Sequence, residues 1–173
     1  MTKHDVLQAI PKIPAVDYKS RLHLPNQWYG ERASEVESFG LDLERMAHAL
    51  KLTIEYSHDR ALSYGARAVY LREERRIIVT DLADPLMTCW FLAHELGHAS
   101  LTAKVSKGVY GEAIVDLAAA MMLRQVKAVS QDGCLNITIG YLKCRFQPDN
   151  LRFVVEKVWE KSNNLAFLLT SLL

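Results

Sequence analysis

The sequence predicts a single α+β domain that is mostly helical, with a small antiparallel sheet packed on two buried helices. Its 173 residues have the usual length of one domain. Apolar residues make up 50% of the chain, and 21 Lys and Arg are balanced by 20 Asp and Glu, a composition that excludes intrinsic disorder. Long segments with apolar residues every three or four positions outnumber short β-branched segments, which indicates more helix than strand.

The composition also limits the partners and the location that we expect. A net charge of +1 supplies no overall field that attracts phosphates, so direct nucleic-acid binding is not expected. Early prolines interrupt any apolar run of signal-peptide length, and the uncharged tail over 162–173 is too short to cross a membrane. We therefore expect a cytoplasmic protein without a membrane partner. The cysteines, none in a C-x-x-C pair, are expected to be reduced packing residues: Cys89, Cys134 and Cys144.

The first fifty residues are predicted to contain an irregular segment followed by one helix. Three prolines in the first 25 residues indicate an irregular N-terminal arm over 1–30. Ser34 and Glu37 have the spacing of a capping box. Apolar residues then recur every three or four positions, which predicts an amphipathic helix over 34–50.

Three short strands are expected after this helix. The segment 52–56 is typical of a strand. The segments 67–71 and 76–80 are rich in β-branched and aromatic residues and flank the polar turn REER, which predicts a hairpin. Together they predict the small antiparallel sheet.

Two apolar helices are predicted to form the centre of the domain. An N-cap aspartate and a first-turn proline begin an almost entirely apolar helix over 85–103. After a loop over 104–111, a second apolar helix runs over 112–130 and is closed by Asp132 and Gly133. Helices that are apolar on all sides must be buried.

The C-terminal part is predicted to be helical as well. The segment 133–146 fits either a strand or a helix, and we favour the helix. A final helix over 149–161 carries apolar residues on one face, and the tail after it is expected to pack on the core. The absence of repeats and linkers predicts one domain, with a core over 34–130 and a C-terminal helical segment over 135–173.

The most informative segment is His94-Glu95-Leu96-Gly97-His98, an H-E-x-x-H motif within a predicted helix. Two histidines four positions apart project from one helix face, so both imidazoles can bind one Zn²⁺ at about 2.0–2.1 Å. Glu95 lies about 100° further round the helix and can reach a water molecule as a general base. The alternative is that both histidines are hydrogen-bonded core residues without a metal.

Two acidic residues in the next helix fit the rest of such a site. Zinc with two histidines needs a third protein ligand, and Glu112 is the first acidic residue after the motif. Asp116 lies one turn later on the same face and is suited to accept the second ring N–H of a bound histidine. Alternatively, Glu112 only stabilises a helix N-terminus and Asp116 faces solvent.

The run from Met46 to Leu123 resembles the ImmA/IrrE family of metallopeptidases. The family pattern is A-H-E-L-G-H followed by E-x-x-A-[ND]-x-x-A-A, and the matching segments here are 93–98 and 112–120. The resemblance implies a zincin-like fold, with its zincin core over 34–130, and one zinc ion per chain.

Carried over to this chain, the resemblance implies Glu95 as the catalytic base. Two positions depart from the pattern, since Val115 stands where the family often has Ala and Asp116 where it often has Asn. Neither departure removes a ligand. The zinc ligands implied by the resemblance are His94, His98 and Glu112.

The resemblance further implies a gluzincin-like endopeptidase that cleaves a helix-turn-helix repressor of a phage, a mobile element or a stress response. We expect that repressor to be a separate protein. An alternative is a zinc-binding regulatory module that sequesters a transcription factor without proteolysis, and a third possibility is a metal-free helical scaffold.

The strand 67–71 is the one with which we expect an extended substrate to pair. The residue that stabilises the oxyanion is left open among three candidates: Tyr110, Tyr141 and His58.

Overall fold

The computed structural model of the chain describes residues 1–16, 25–30 and 35–173. These residues confirm the mostly helical α+β class. A short 3-10 helix covers Asn26–Trp28. The strands are β1 (Thr53–Tyr56), β2 (Ala68–Leu71) and β3 (Arg76–Val79). The α-helices are α1 (Lys3–Ala9), α2 (Val36–Ala49), α3 (His58–Ser63), α4 (Pro85–Ser100), α5 (Ala103–Ser106), α6 (Gly111–Gln125), α7 (Gln131–Arg145) and α8 (Pro148–Thr170).

The three strands form a mixed sheet in the order β1-β3-β2. The hairpin of β2 and β3 is antiparallel as predicted, with Ala68 opposite Val79. However, β1 runs parallel to β3, with Thr53 opposite Arg76, so the prediction of an antiparallel sheet is wrong for this pair. The reason is α3, which the sequence patterns did not indicate. This helix connects β1 to β2, and the two strands are not neighbours in the sheet. Strand β3 lies between them, and β2 is an edge strand.

The apolar helices α4 and α6 pack against each other at the centre of the domain, as predicted. Helix α2 packs on α4, and α8 packs on α6. Gly97 of α4 lies against Val115 of α6 where the two central helices pack. A Cβ atom at this position would lie 2.9 Å from Cγ1 of Val115, so only glycine fits there without a shift.

The prediction of an irregular arm over 1–30 is wrong for its first part, because α1 is a regular helix. Thr2 and Asp5 form a capping box in which each side chain accepts a hydrogen bond from the other residue's backbone N–H. Val6 and Ala9 are buried, and α1 packs on α7 and α8. A helix of two turns is too short to produce a recognisable period. Positions 17–24 lie outside the described residues.

Several helix boundaries differ from the predictions. Ser34 of the expected capping box lies outside the described residues, and α2 begins at Val36. Helix α6 ends at Gln125, before the predicted end near 130. The expected stop at Asp132 and Gly133 instead lies in the first turn of α7, because the side chain of Ser130 accepts the Gly133 N–H at 3.1 Å and caps that helix.

The C-terminal segment is helical, as favoured from the sequence. Helix α8 continues past the predicted end at 161 to Thr170, and the tail packs on the core through Leu165 and Leu169. Cys89 and Cys134 are buried as expected, but Cys144 is exposed and is not a packing residue. None of the helices among the described residues is both long enough and apolar enough to cross a lipid bilayer.

Candidate metal centre

Helix α4 carries the two histidines of the motif into the interior. The helix begins at Asp84, whose side chain accepts a hydrogen bond from the Met87 N–H at 2.7 Å, and Pro85 occupies its first turn. His94 and His98 then lie one turn apart on the face towards α6. Their side chains are 8% and 13% exposed. Both rings therefore open onto one partly enclosed space.

Glu112 reaches the same space from the first turn of α6. Its Oε1 atom lies 3.1 Å from Nε2 of His98, and its Oε2 atom lies 3.6 Å from Nε2 of His94. The two Nε2 atoms are 3.1 Å apart. All three donor groups thus fall within 4.8 Å of one another and can hold a metal ion. Glu112 therefore does more than stabilise a helix N-terminus, since its carboxylate meets both imidazoles.

The Nδ1 atom of each histidine is held by a second residue. Nδ1 of His94 lies 3.0 Å from Oδ1 of Asp116, and Nδ1 of His98 lies 3.0 Å from Oγ of Ser106. Asp116 is fully buried, so the alternative in which it faces solvent is wrong. A carboxylate at Nδ1 keeps the proton of a neutral ring on that nitrogen and leaves Nε2 as the metal donor.

Ser106 was not identified from the sequence. It ends α5, and the turn that follows brings its backbone unusually close to the start of α6. A Cβ atom at Gly111 would lie 2.1 Å from the Ser106 carbonyl oxygen, so this turn requires glycine. The only sequence signal was a glycine directly before Glu112. The tight turn fixes Ser106 and Glu112 relative to each other on either side of His98.

Glu95 lies beside this group without belonging to it. The residue is 7% exposed and lines the same cavity as the two histidines. Within the described parts of the chain, its carboxylate has no hydrogen-bond or ion-pair partner. This arrangement agrees with its expected offset around the helix, and it leaves a carboxylate directed to the cavity.

The cavity has a volume of about 1070 Å³ and extends along the edge strand β2. The segment from Ala66 to Tyr70 lines it, and so does Phe91 of α4. Arg72, just after β2, ties this strand to α4. Its Nη2 atom donates to the carbonyl oxygens of His98 and Leu101 at 3.0 and 3.1 Å. The end of the motif helix is thereby fixed to the edge strand.

Helix α7 contributes Tyr141 and Arg145 to the cavity. Arg145 Nη2 lies 3.4 Å from Oε2 of Glu112, and its Nε donates to the Tyr141 hydroxyl oxygen at 2.8 Å. Burial raises the pKa of Tyr141, as does the charge of Asp116, so this hydroxyl keeps its proton at neutral pH. Burial opposes the charge of Arg145, but the Glu112 carboxylate, the Tyr141 hydroxyl and the charge of Asp116 together outweigh burial and raise the pKa of Arg145.

Of the three residues predicted as possible stabilisers of the oxyanion, Tyr141 alone lines the cavity. The ring of Tyr110 stacks on Phe146 with centroids 6.3 Å apart, and it does not line the cavity. His58 lies at the start of α3 with its Nδ1 atom 2.9 Å from Oγ1 of Thr80, away from the cavity. Arg145 was missed, although its spacing of four from Tyr141 on a helix indicated a shared face.

Comparison of the chain with protein-family models, with curated proteins and with solved structures gives no match. The class of the site is therefore defined by its geometry. It consists of a histidine, histidine and glutamate group able to hold a metal ion, a further carboxylate, and a cavity bordered by an edge strand.

Proposed function

We propose that the protein is a zinc-dependent endopeptidase of the ImmA/IrrE type, with a zincin-like active site, that cleaves a helix-turn-helix repressor. The observation that carries the proposal is the meeting of His94, His98 and Glu112 beside Glu95 at one cavity. The choice of repressor depends on the resemblance of the two sequence motifs to that family.

The spacing of the donor atoms fits zinc. Tetrahedral zinc with ligands at about 2.0–2.2 Å separates its ligand atoms by about 3.3–3.6 Å. The two Nε2 atoms are 3.1 Å apart, Glu112 Oε1 lies 3.1 Å from that of His98 and Oε2 lies 3.6 Å from that of His94. Because one ligand atom from each residue lies within 4.8 Å of the others, side-chain adjustments can bring them to these separations. Two nitrogen donors and one carboxylate are a set that zinc accepts, and three protein ligands are typical of catalytic sites, whereas structural sites usually have four.

The residues around the donor group fit peptide hydrolysis. Zinc, when bound, supplies a Lewis acid that favours the attack of water on a peptide carbonyl. Glu95 accepts a proton from the attacking water as the water oxygen bonds to the carbonyl carbon. Glu95 then delivers this proton to the leaving nitrogen as the C–N bond breaks. The protonated hydroxyl of Tyr141 can donate a hydrogen bond to the carbonyl oxygen as negative charge develops there.

The edge strand supports binding of an extended peptide. Within the described ranges β2 pairs with β3 alone, so its other edge can hydrogen-bond with an added strand. β2 also forms a wall of the cavity that contains Glu95 and the two histidines. A peptide paired with β2 therefore passes the reacting groups in an extended conformation, which exposes its backbone to them.

Metal content tests the first part of the proposal. We expect elemental analysis to find about one zinc per chain in the wild type, and none in His94→Ala. His58→Ala is the matched control, because this histidine lies outside the cavity, and it should keep its zinc. A wild-type chain without metal, insensitive to chelators, would instead support the metal-free scaffold.

Cleavage tests the second part. The wild type and Glu95→Gln are incubated with candidate helix-turn-helix repressors, and fragments are identified by mass spectrometry. The proposal predicts fragments with the wild type only, while Glu95→Gln keeps its zinc. If Glu95→Gln binds and inhibits the repressor as well as the wild type does, and neither releases fragments, the sequestering module is correct.

A further inference from the structure

The charges that line the cavity are unbalanced. Among the described residues that line it, the carboxylates are Glu95 and Glu112, both already part of the proposed site. Four cationic side chains of the described residues line the same cavity, although the chain as a whole has a net charge of only +1. A bound divalent metal ion would add to this excess. The four residues are Arg67, Arg72, Lys107 and Arg145.

Two of these cations bracket the edge strand. Arg67 directly precedes β2 and Arg72 directly follows it. With a rise of about 3.3 Å per residue, the two α-carbons lie about 17 Å apart along the strand. A peptide paired with β2 over its whole length therefore has a cation near each of its ends.

The cations differ in what they already contact. Arg145 is paired with Glu112, and Arg72 donates to backbone carbonyls at the end of α4. In the described residues, the side chains of Arg67 and Lys107 have neither an ion pair nor a hydrogen bond. Charges of one sign within a cavity reinforce each other and attract ligands of the opposite sign.

The same cavity also presents apolar side chains to solvent. Leu62 and Val109 line it and are 54% and 78% exposed. Phe91 and Phe146 also line it. A ligand that satisfies both kinds of surface needs carboxylates for the cations and apolar groups for these four residues.

We infer that the cavity selects an extended peptide segment in which acidic and apolar side chains are interspersed. The inference rests on the proposed peptide site and specifies its substrate class. Acidic side chains near both ends of such a segment can pair with the cations that flank β2, and the apolar side chains between them can contact the apolar lining residues. The exposed apolar residues and the free backbone edge of β2 favour a peptide over a nucleic acid, which would need a longer row of cations.

Peptide binding to the Glu95→Gln variant tests the inference without cleavage. The probe is a fluorescein-labelled, C-terminally amidated decapeptide of alternating Leu and Glu, measured by fluorescence anisotropy. We expect it to bind about tenfold tighter at low salt than the same peptide with Gln for Glu, and the difference should shrink at high salt. Arg67→Gln and Lys107→Gln should each reduce this preference about threefold. Lys161→Gln, an exposed cation outside the cavity, is the matched control and should leave it unchanged.

Two outcomes would overturn the inference. One is equal affinity for the Glu and Gln peptides. The other is displacement of the peptide by a ten-nucleotide oligothymidine at equal concentration, which would indicate a nucleic-acid groove. Selective binding of the Glu peptide, combined with a zinc-loaded wild type that cleaves no substrate, would support the inference and contradict the proposed endopeptidase.

Discussion

The Nδ1 atom of His94 lies 3.0 Å from Oδ1 of Asp116, within the packed interface of α4 and α6. Both residues are buried, with Asp116 at 0% exposure. The contact orients the imidazole so that its Nε2 atom faces Glu112, 3.6 Å away. The contact with the His94 ring thus explains why Asp116 stands within an otherwise apolar stretch of α6.

Asp116→Ala should lower the affinity for zinc about 10- to 100-fold, because the imidazole loses the carboxylate that fixes its orientation and tautomer. Competition with a chromophoric chelator measures this affinity. Asp116→Asn is the matched variant and should lose less, since its amide oxygen can still accept the Nδ1–H. An Asp116→Ala chain that is folded by circular dichroism and binds zinc like the wild type would contradict this assignment.

Ser106→Ala should reduce zinc affinity by less than about tenfold, because a neutral hydroxyl on a partly exposed residue holds the His98 ring less firmly than a buried carboxylate does. The same chelator competition measures the change. Ser63→Ala removes a hydroxyl outside the cavity and should have no effect. An effect of Ser106→Ala that exceeds that of Asp116→Ala would reverse the proposed order of importance.

Gly97→Ala should lower the free energy of unfolding by about 1–3 kcal/mol, because its Cβ would lie 2.9 Å from Cγ1 of Val115. In a Val115→Ala background the same substitution should cost less, since the Cγ1 methyl at 2.9 Å is gone and only the Cβ atom at position 115, at 3.0 Å, remains as close. Urea denaturation with chelator present measures both values without a metal contribution.

Gly40→Ala provides the control for helix propensity. Its Cβ would contact only Cys89 Sγ at 3.6 Å, an ordinary packing distance, so this substitution should stabilise the chain by about 0.5–1 kcal/mol. Equal costs for Gly97→Ala with and without Val115 would show that the contact between the two helices is not what requires glycine.

Only one of the three cysteines should react with Ellman's reagent in the native chain at pH 8. Burial raises the pKa of Cys89 and that of Cys134 to about 12, so both remain neutral thiols, and both are also inaccessible. We expect about one equivalent of released chromophore per native chain, none in Cys144→Ser, and three after denaturation. Rapid reaction of a second thiol without denaturant would show that α4 or α7 is less closely packed than described.

The sequence was most informative where chemistry depends on spacing within one helix. The four-residue separation of His94 and His98, and that of Glu112 and Asp116, puts each pair on one face whatever surrounds it. The packing of α4 on α6 then brings the two pairs together, as expected for two apolar helices that must both be buried.

The remaining contacts of the site depend on how separate elements pack, which no local pattern reveals. Ser106 reaches His98 because a short helix is followed by a turn that requires Gly111. Arg145 reaches Glu112 only because α7 packs on α6. The predicted direction of β1 was also wrong, because that direction depends on helix α3, which was not recognised in the sequence. The six residues of α3 are too few to show a helical period.

The hydrogen bonds from Arg72 to the carbonyls of His98 and Leu101 have a mechanical consequence. They lock the far end of β2 to the end of the helix that carries both imidazoles. The position of β2 relative to the two histidines is thereby fixed, and so is the line along which an added chain would run. Which backbone bond faces Glu95 is then determined by how the added chain aligns along β2, and a shift by two residues presents a different bond.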